Sequence, residues 1–255
     1  MPALRLEGLT KHYGQPPKTV RALDGLDLEI EQGEFVAAVG RSGSGKTTML
    51  DCIGLLMRPT QGRVLLGGVN TGRLTDRQRA ELRSHRIGFI FQEFNLLPTL
   101  SAMENVLLPL RYSGGDRTAG RRRAGALLEE MGLADRMHHR PTQLSGGEQQ
   151  RVAIARSLIG EPTLVLGDEP MGEVDTETSA MLLSLMRRIN LESSVTFLIV
   201  THDLDLAARM DRIVRLRDGH LVGDERSAHA GATRRPTGAP AIQAPADGEA
   251  DLVAV

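Results

Sequence analysis

The sequence predicts an α/β fold built around a mostly parallel sheet, and three observations support this. Short apolar runs of strand length alternate along the chain with amphipathic stretches of helix length. One apolar run leads into a glycine-rich loop that opens a helix, as happens in open α/β sheets. The 255 residues are enough to bury a sizeable core, as one large domain or as a domain with a subdomain.

The first hundred residues are predicted to hold five strands and one helix. Five runs have strand length: 4–9, 26–30, 35–39, 63–66 and 87–91. The first two alternate apolar and polar residues, as half-buried strands do, and a polar turn with Gly14, Pro16 and Pro17 separates them. The third suits a buried strand, and it precedes a helix over 47–56 that Pro59 stops.

From about residue 95 to 160 the pattern turns helical, which predicts a helical subdomain inserted between strands. Three helices are expected there: 105–111, 121–131 and 148–159. A capping box from Ser101 to Glu104 opens the first of them. Strands resume over three runs: 164–166, 195–200 and 213–216. A helix over 177–189 separates the first two, so we expect a mostly parallel sheet covered on both faces.

The main domain is expected to cover residues 3–226, followed by a disordered tail over 227–255 that is rich in Ala, Gly, Pro and Arg. The net charge of −1 offers no electrostatic basis for binding nucleic acid. The single Cys52 excludes an internal disulfide and a cysteine metal cluster, and we expect it in the core. Without a signal peptide or a run of about 18 apolar residues, we expect a soluble intracellular chain that reaches membranes only through a partner.

A phosphate-binding loop is predicted at residues 40–47, which match the pattern G-x-x-x-x-G-K-[ST] at every fixed position. The glycines let backbone N–H groups surround a β-phosphate, while Lys46 reaches the β and γ oxygens and the Thr47 hydroxyl ligates Mg²⁺. The predicted nucleotide-binding residues of this loop are Gly40, Arg41, Ser42, Gly43, Ser44, Gly45, Lys46, Thr47 and Thr48.

Polar residues that follow predicted strands are the candidates for the chemistry. Asp168 is expected to hold Mg²⁺ through water and Glu169 to orient or deprotonate an attacking water, although alone such a pair more often caps a helix. His202 can hydrogen-bond a γ-phosphate, with a structural role as the alternative. Gln92 can contact Mg²⁺ or water, or simply end a strand. Tyr13 can stack on an adenine or serve in the core or rim.

A second phosphate-binding element is predicted at residues 144–151, which read Leu-Ser-Gly-Gly-Glu-Gln-Gln-Arg. Ser145, Gly146, Gly147 and Glu148 open a predicted helix, and we expect bare backbone N–H groups to form an anion-binding N-terminus there. Two such elements in one chain indicate a composite site, and one alternative is a site shared between two copies.

Together these motifs resemble the ATPase subunit of ABC transporters over about residues 3–225. The matching motifs are Walker A at 40–47, the Q-loop at Gln92, the signature at 144–148, Walker B at 164–169, the D-loop at Asp175 and the switch at His202. The stretches at 20–23, 33–35, 53–60 and 87–98 look like the lipoprotein-releasing and macrolide-exporter type, whose usual partners are FtsX-like permeases. The resemblance implies a P-loop nucleotide-binding domain with an N-terminal antiparallel β subdomain.

The resemblance also implies ATP and Mg²⁺ as cofactors and a head-to-tail homodimer, in which Walker A of one copy and the signature of the other enclose each ATP. Carried over, Ser145 and Gly147 contact the γ-phosphate in trans, and Asp175 lies beside the nucleotide. The loop 93–100, with Phe94 and Leu97, faces the permease. ATP hydrolysis at the cytoplasmic face of the inner membrane would then drive export or extraction of a lipophilic substrate or lipoprotein.

The chain departs from the family pattern at residues 171–175, which read Met-Gly-Glu-Val-Asp where relatives usually have Thr-Gly-Asn-Leu-Asp. Glu173 adds negative charge near the opposed site, so we expect slower or differently coupled hydrolysis. One alternative function is a soluble ATPase acting on DNA or ribosomes, but the chain lacks a long coiled-coil insertion and a second cassette. Another is a regulatory module that binds ATP without pumping, which Glu169 and His202 argue against.

Overall fold

The computed structural model describes residues 1–15, 18–111 and 116–227. Within them the strands are β1 Leu4–Tyr13, β2 Val20–Ile30, β3 Phe35–Val39, β4 Gln61–Leu66, β5 Val69–Asn70, β6 Ile87–Phe91, β7 Leu164–Asp168, β8 Thr196–Thr201, β9 Arg212–Arg217 and β10 His220–Arg226. The α-helices are α1 Lys46–Ile53, α2 Asp76–Arg86, α3 Ala102–Leu107, α4 Arg117–Glu130, α5 Gly146–Leu158, α6 Thr176–Ser193 and α7 Leu204–Ala208. The described strands form a four-stranded and a six-stranded sheet.

The larger sheet has the order β10-β9-β3-β8-β7-β6 and is parallel except for β10. Every residue of β3 and β8 is buried, as expected for strands covered on both faces. Alternate residues of β3 enter different cores: Phe35, Ala37 and Val39 pack on the side of α3–α6, while Val36 and Ala38 pack against α1 and the smaller sheet. The predicted fold class is therefore confirmed.

The smaller sheet is antiparallel, with the order β2-β1-β4-β5. Its first two strands run well past the predicted 4–9 and 26–30, because Lys11, His12 and Tyr13 continue the backbone ladder opposite residues 20–23. Backbone pairing between strands does not require alternating apolar and polar residues. The alternation that predicted these strands therefore covers only part of each strand. Of the predicted turn, Gly14 is described, whereas Pro16 and Pro17 lie outside the described residues.

Helices α3, α4 and α5 lie between β6 and β7, where the sequence predicts a helical insertion. The capping box of Ser101 and Glu104 is present, and it starts α3 at Ala102 rather than at residue 105. Helix α5 packs closely on β6 through Gly88. A Cβ atom at this glycine would lie 2.2 Å from the carbonyl oxygen of Ser157, so only glycine fits.

Among the described α-helices and strands, four were not predicted: α2, α7, β5 and β10. The sequence of α2 is almost entirely polar and has no apolar stripe, although Thr75 and Gln78 form a capping box at its start. Helix α1 ends at Ile53, before the predicted residue 56, because Leu55 adopts a left-handed φ of 58°. Helix α6 extends beyond the predicted 177–189 at both ends.

The last described strand, β10, ends at Arg226. Ser227, assigned to the tail from the sequence, donates through its amide to Asp211 and through its hydroxyl to Ala208. Residues 228–255 lie outside the described residues, so the disordered tail stays a prediction. Cys52 is buried, as expected. Among the described residues, no helix combines the length and apolar character needed to cross a membrane.

Candidate functional site

The loop at residues 40–47 joins β3 to α1 and requires its glycines. Gly43 and Gly45 have φ angles of 79° and 100°, which side chains disfavour. At Gly40, a Cβ atom would lie 2.4 Å from the carbonyl oxygen of Leu216. No side chain of the described residues caps the start of α1, and its first turn carries no acidic residue. The amide groups at this helix start are therefore available to an anion.

Two side chains inside the loop fit a phosphate group. Lys46 is buried, and its Nζ donates to the carbonyl oxygens of Gly40 at 2.7 Å and Arg41 at 3.0 Å. The Ser44 hydroxyl is buried without a hydrogen-bond partner among the described residues. The buried Lys46 ammonium and the unpaired Ser44 hydroxyl could both bind phosphate oxygens. Lys46 would then exchange its hydrogen bonds with carbonyl oxygens for an ion pair with phosphate.

The carboxyl ends of β6, β7 and β8 bring the predicted polar residues to one edge of the sheet. Phe91 on β6 lies opposite Asp168 on β7, which in turn lies opposite Val200 on β8. Gln92 and Glu169 each follow directly after these positions, and His202 follows β8. Ligands of open α/β sheets bind outside this edge.

Asp168 and Thr47 form an oxygen-rich pair at this edge. The pKa of Asp168 is raised above its usual value, mainly because the carboxylate is buried. The neighbouring Thr47 hydroxyl acts to lower this pKa, and the charge of Glu169 acts to raise it. In the described part of the chain, no group of three or more His, Cys, Asp or Glu side chains could hold a metal. A hydroxyl and one carboxylate suit Mg²⁺, which in such sites takes its remaining ligands from phosphates and water.

Glu169 and His202 are in direct contact. The imidazole Nδ1 lies 2.9 Å from Glu169 Oε2, and the His202 amide donates to the same oxygen at 3.3 Å. Glu169 has a left-handed φ of 47°, an uncommon conformation for a side chain of this size. The carboxylate is largely buried, whereas the imidazole is 76% exposed. A carboxylate and an imidazole so placed can together orient a water molecule.

The loop after Gln92 has an unusual conformation that the sequence did not indicate. Phe94 and Asn95 have left-handed φ angles of 59° and 49°. The Arg156 guanidinium on α5 donates to both of their carbonyl oxygens. Burial lowers the pKa of Arg156 to about 10.

Gln92 itself donates from Nε2 to Glu173 Oε1 at 3.0 Å. No local motif identifies either contact, because each joins residues more than sixty positions apart.

The signature segment starts α5 with a capping box, which corrects one prediction. The Glu148 amide is not bare, because it donates to the Ser145 hydroxyl at 3.3 Å, and the Glu148 carboxylate accepts from the Ser145 amide at 2.8 Å. This second bond lowers the pKa of Glu148. The amides of Gly146 and Gly147 remain without an intrahelical partner by position. The spacing of Ser145 and Glu148 is that of a capping box and could have been recognised as such.

Among the hydrogen bonds and ion pairs of the described residues, none links the signature at 144–148 to the phosphate-binding loop at 40–47. The signature lies instead against the segment that precedes and opens α6: a Cβ atom at Gly147 would be 2.7 Å from Thr178. Asp175 caps α6 by accepting from the amide and hydroxyl of Thr178, and these bonds lower its pKa.

Tyr13 ends β1 at the protein surface. Its side chain is 40% exposed, its hydroxyl lies 3.1 Å from Met57 Sδ, and the Lys11 ammonium lies 5.4 Å from the ring centroid. The ring is therefore accessible at the rim of the domain, as stacking on a base requires.

Comparison with known proteins gives close relatives over most of the chain. The family described as ABC transporter matches residues 23–172. An uncharacterized ABC transporter ATP-binding protein of Thermotoga maritima is 48% identical over 88% of this chain and 95% of its own length. The lipoprotein-releasing system ATP-binding protein LolD of Anaeromyxobacter dehalogenans is 48% identical over 88% of this chain and 94% of its own. The macrolide export ATP-binding/permease protein MacB of Hyphomonas neptunium is 45% identical over 92% of this chain, which spans only 36% of that relative.

Solved structures agree with these relatives. The ATP-binding cassette MJ0796, in a dimeric post-hydrolysis state bound to ADP and Pi, has a TM-score of 0.80 and 40% identity, covering 88% of this chain and 98% of its own. The cbiO1 protein of Clostridium perfringens, part of a cbiONQ transporter complex, has a TM-score of 0.79 and 25% identity, covering 88% of each chain.

Proposed function

Because the chain belongs to the ABC transporter family, we propose that it is the ATP-hydrolysing subunit that drives a separate membrane permease. The main observation behind this proposal is that Asp168, the Glu169–His202 pair and Gln92 all lie at the same edge of the larger sheet. The family match and the similar relatives confirm the predicted resemblance, and ATPase activity is a property of the family. A membrane permease as partner is supported by the relative LolD, which is named as the ATP-binding protein of a lipoprotein-releasing system.

ATP is proposed to bind along residues 40–48. The open amide groups of the loop would surround the β-phosphate, and the Lys46 ammonium would exchange its carbonyl partners for phosphate oxygens. The buried Ser44 hydroxyl, which lacks a hydrogen-bond partner in the described part of the chain, would gain one. Arg41 and Ser42 are exposed on the same loop, and the accessible ring of Tyr13 would stack on the adenine.

Mg²⁺ fits the oxygen donors at the same edge. The Thr47 hydroxyl lies beside the Asp168 carboxylate and acts to lower its pKa, and the Gln92 amide offers a further oxygen. When bound, the cation would neutralise charge on the β- and γ-phosphates. Hydrolysis itself is proposed to depend on Glu169, which would orient or deprotonate water, and on His202, which would hold the γ-phosphate and that carboxylate.

A head-to-tail homodimer is proposed to complete each site. Ser145, Gly146, Gly147 and Glu148 of one copy would face the γ-phosphate bound by the other, with Asp175 alongside. Two observations support this: the signature has no hydrogen bond to the P-loop within the described chain, and the similar cassette MJ0796 was solved as a dimer.

The permease is proposed to be of the FtsX-like class, with the loop 93–100 as its contact. The proposal rests on the relatives, which are named for lipoprotein release and macrolide export. By that analogy the substrate is a lipophilic molecule or lipoprotein that is exported or extracted, and the chain is bound at the cytoplasmic face of the inner membrane through its permease.

The Glu169→Gln substitution separates hydrolysis from binding. We expect steady-state ATP turnover to fall by about 10²- to 10⁴-fold, as loss of a general base does, while ATP-dependent dimers persist. Glu177→Gln is the matched control, because Glu177 is an exposed carboxylate on the first turn of α6. A wild-type chain without turnover, even with its permease present, would contradict the proposed function and favour a regulatory module.

A further inference from the structure

The turn after Glu169 holds the side chain of Gln92. Gln92 Nε2 donates to Glu173 Oε1 at 3.0 Å. The amide also rests on Gly172, where a Cβ atom would lie 3.3 Å from both Cγ and Nε2 of Gln92. This contact joins the ends of two neighbouring strands, since Gln92 follows β6 and Glu173 lies five residues beyond the end of β7.

The turn that carries Glu173 is itself fixed from two sides. Buried Gln150 on α5 donates to the carbonyl oxygen of Pro170, and the Gly172 amide donates to Glu169 at 2.9 Å. The backbone of Glu173 packs on the start of α5, where a Cβ atom at Gly146 would lie 3.6 Å from the Glu173 carbonyl oxygen. The Glu173 carboxylate therefore extends from a segment whose backbone is held in place by these contacts.

The chemistry of the two groups sets the orientation of the amide. An ionised carboxylate only accepts hydrogen bonds, so the end of the Gln92 amide that faces Glu173 must be its NH₂ group. The Oε1 atom is then the end left for another ligand. A neutral amide at position 173, such as that of asparagine, can donate or accept and would select neither end.

We propose that Glu173 is a positioning residue that makes Gln92 present its amide oxygen to the cation site of Thr47 and Asp168. This rests on the proposed function, because Mg²⁺ at that pair is part of it. Mg²⁺ takes oxygen ligands, so an amide turned the other way would offer it nothing. A carboxylate hydrogen-bonded to the far end of a ligand also increases the electron density on the ligand atom, and partners of this kind strengthen metal binding.

The contact is tested first in the nucleotide-free protein, by NMR of the Gln92 side-chain NH₂ group. We expect Glu173→Ala to shift these resonances and Glu177→Ala to leave them unchanged, since Glu177 carries the same charge nearby without touching Gln92. Unchanged Gln92 resonances in Glu173→Ala would overturn the proposal, whatever the activity of the variant.

The consequence is tested by Mg²⁺ titration of ATP-dependent dimers in a Glu169→Gln background, where slow turnover lets the dimers persist. Adding Glu173→Ala should raise the Mg²⁺ concentration at half-maximal dimerisation by about 10-fold, the lower end of the effect of removing a ligand's partner. Adding Glu177→Ala should not change it. An equal midpoint in all three proteins would overturn this inference alone. Absence of dimers at every Mg²⁺ concentration would contradict the proposed function and with it the inference.

Discussion

Arg156→Gln is expected to release the loop that follows Gln92, because Arg156 donates to the carbonyl oxygens of two consecutive left-handed residues, Phe94 and Asn95. Hydrogen bonds from a charged group contribute about 1.5–3 kcal/mol each, so the two together amount to about 3–6 kcal/mol. Relief of the left-handed backbone strain of Phe94, about 1–2 kcal/mol, opposes this loss. The net loss should therefore be about 1–5 kcal/mol.

Hydrogen–deuterium exchange, read out by mass spectrometry, measures this loss at the loop itself. We expect exchange over residues 93–97 to accelerate by about tenfold for each 1.4 kcal/mol lost locally. Urea unfolding measures the global share. Arg122→Gln is the matched control, since Arg122 is exposed on α4. Unchanged exchange in the loop of Arg156→Gln would refute the reasoning, because the left-handed pair would then be stable without its guanidinium.

Two further predictions concern stability. Gly88→Ala should destabilise the fold by about 1–3 kcal/mol in urea unfolding, because the added methyl would meet a carbonyl oxygen of α5 at 2.2 Å; Gly125→Ala, with its nearest atom at 3.9 Å, should not destabilise. Asp224→Asn should cost at most about 1 kcal/mol at pH 7, since Arg212 lowers the pKa of a carboxylate that is 38% exposed. This contribution is present above the unfolded-state pKa and is lost as pH falls through the lowered folded-state pKa. The variant and wild type should therefore converge in acid unfolding, and a constant difference would contradict the ion pair as its source.

How far the fold follows from the sequence depends on which force forms each element. Strands β3 and β6 have the predicted bounds because both are short apolar runs that a charged residue precedes and Gly40 or Gln92 follows. The ends of β1 and β2 are formed by backbone pairing, which leaves no side-chain pattern to detect. Helix α2 escaped prediction because it buries only Arg79, which donates to carbonyl oxygens at the end of the α1 region instead of entering an apolar core.

The site shows the same division. That Gln92, Glu169 and His202 meet at one edge follows from strand order alone, since parallel strands end together. The bond from Gln92 to Glu173 does not, because it depends on the register of β6 with β7 and on the path of the turn after Glu169. Side-chain contacts across 81 positions require that geometry to be known.

The composite site is tested most directly by mixing two variants that are each defective, both in the Glu169→Gln background. Lys46→Ala removes the P-loop ammonium and Ser145→Arg obstructs the signature, so neither variant alone should dimerise with ATP. The mixed dimer joins an intact P-loop to an intact signature of the other chain. With donor and acceptor dyes on the two variants, ATP-dependent energy transfer should appear only in the mixture. No transfer in the mixture would contradict a site shared between two copies.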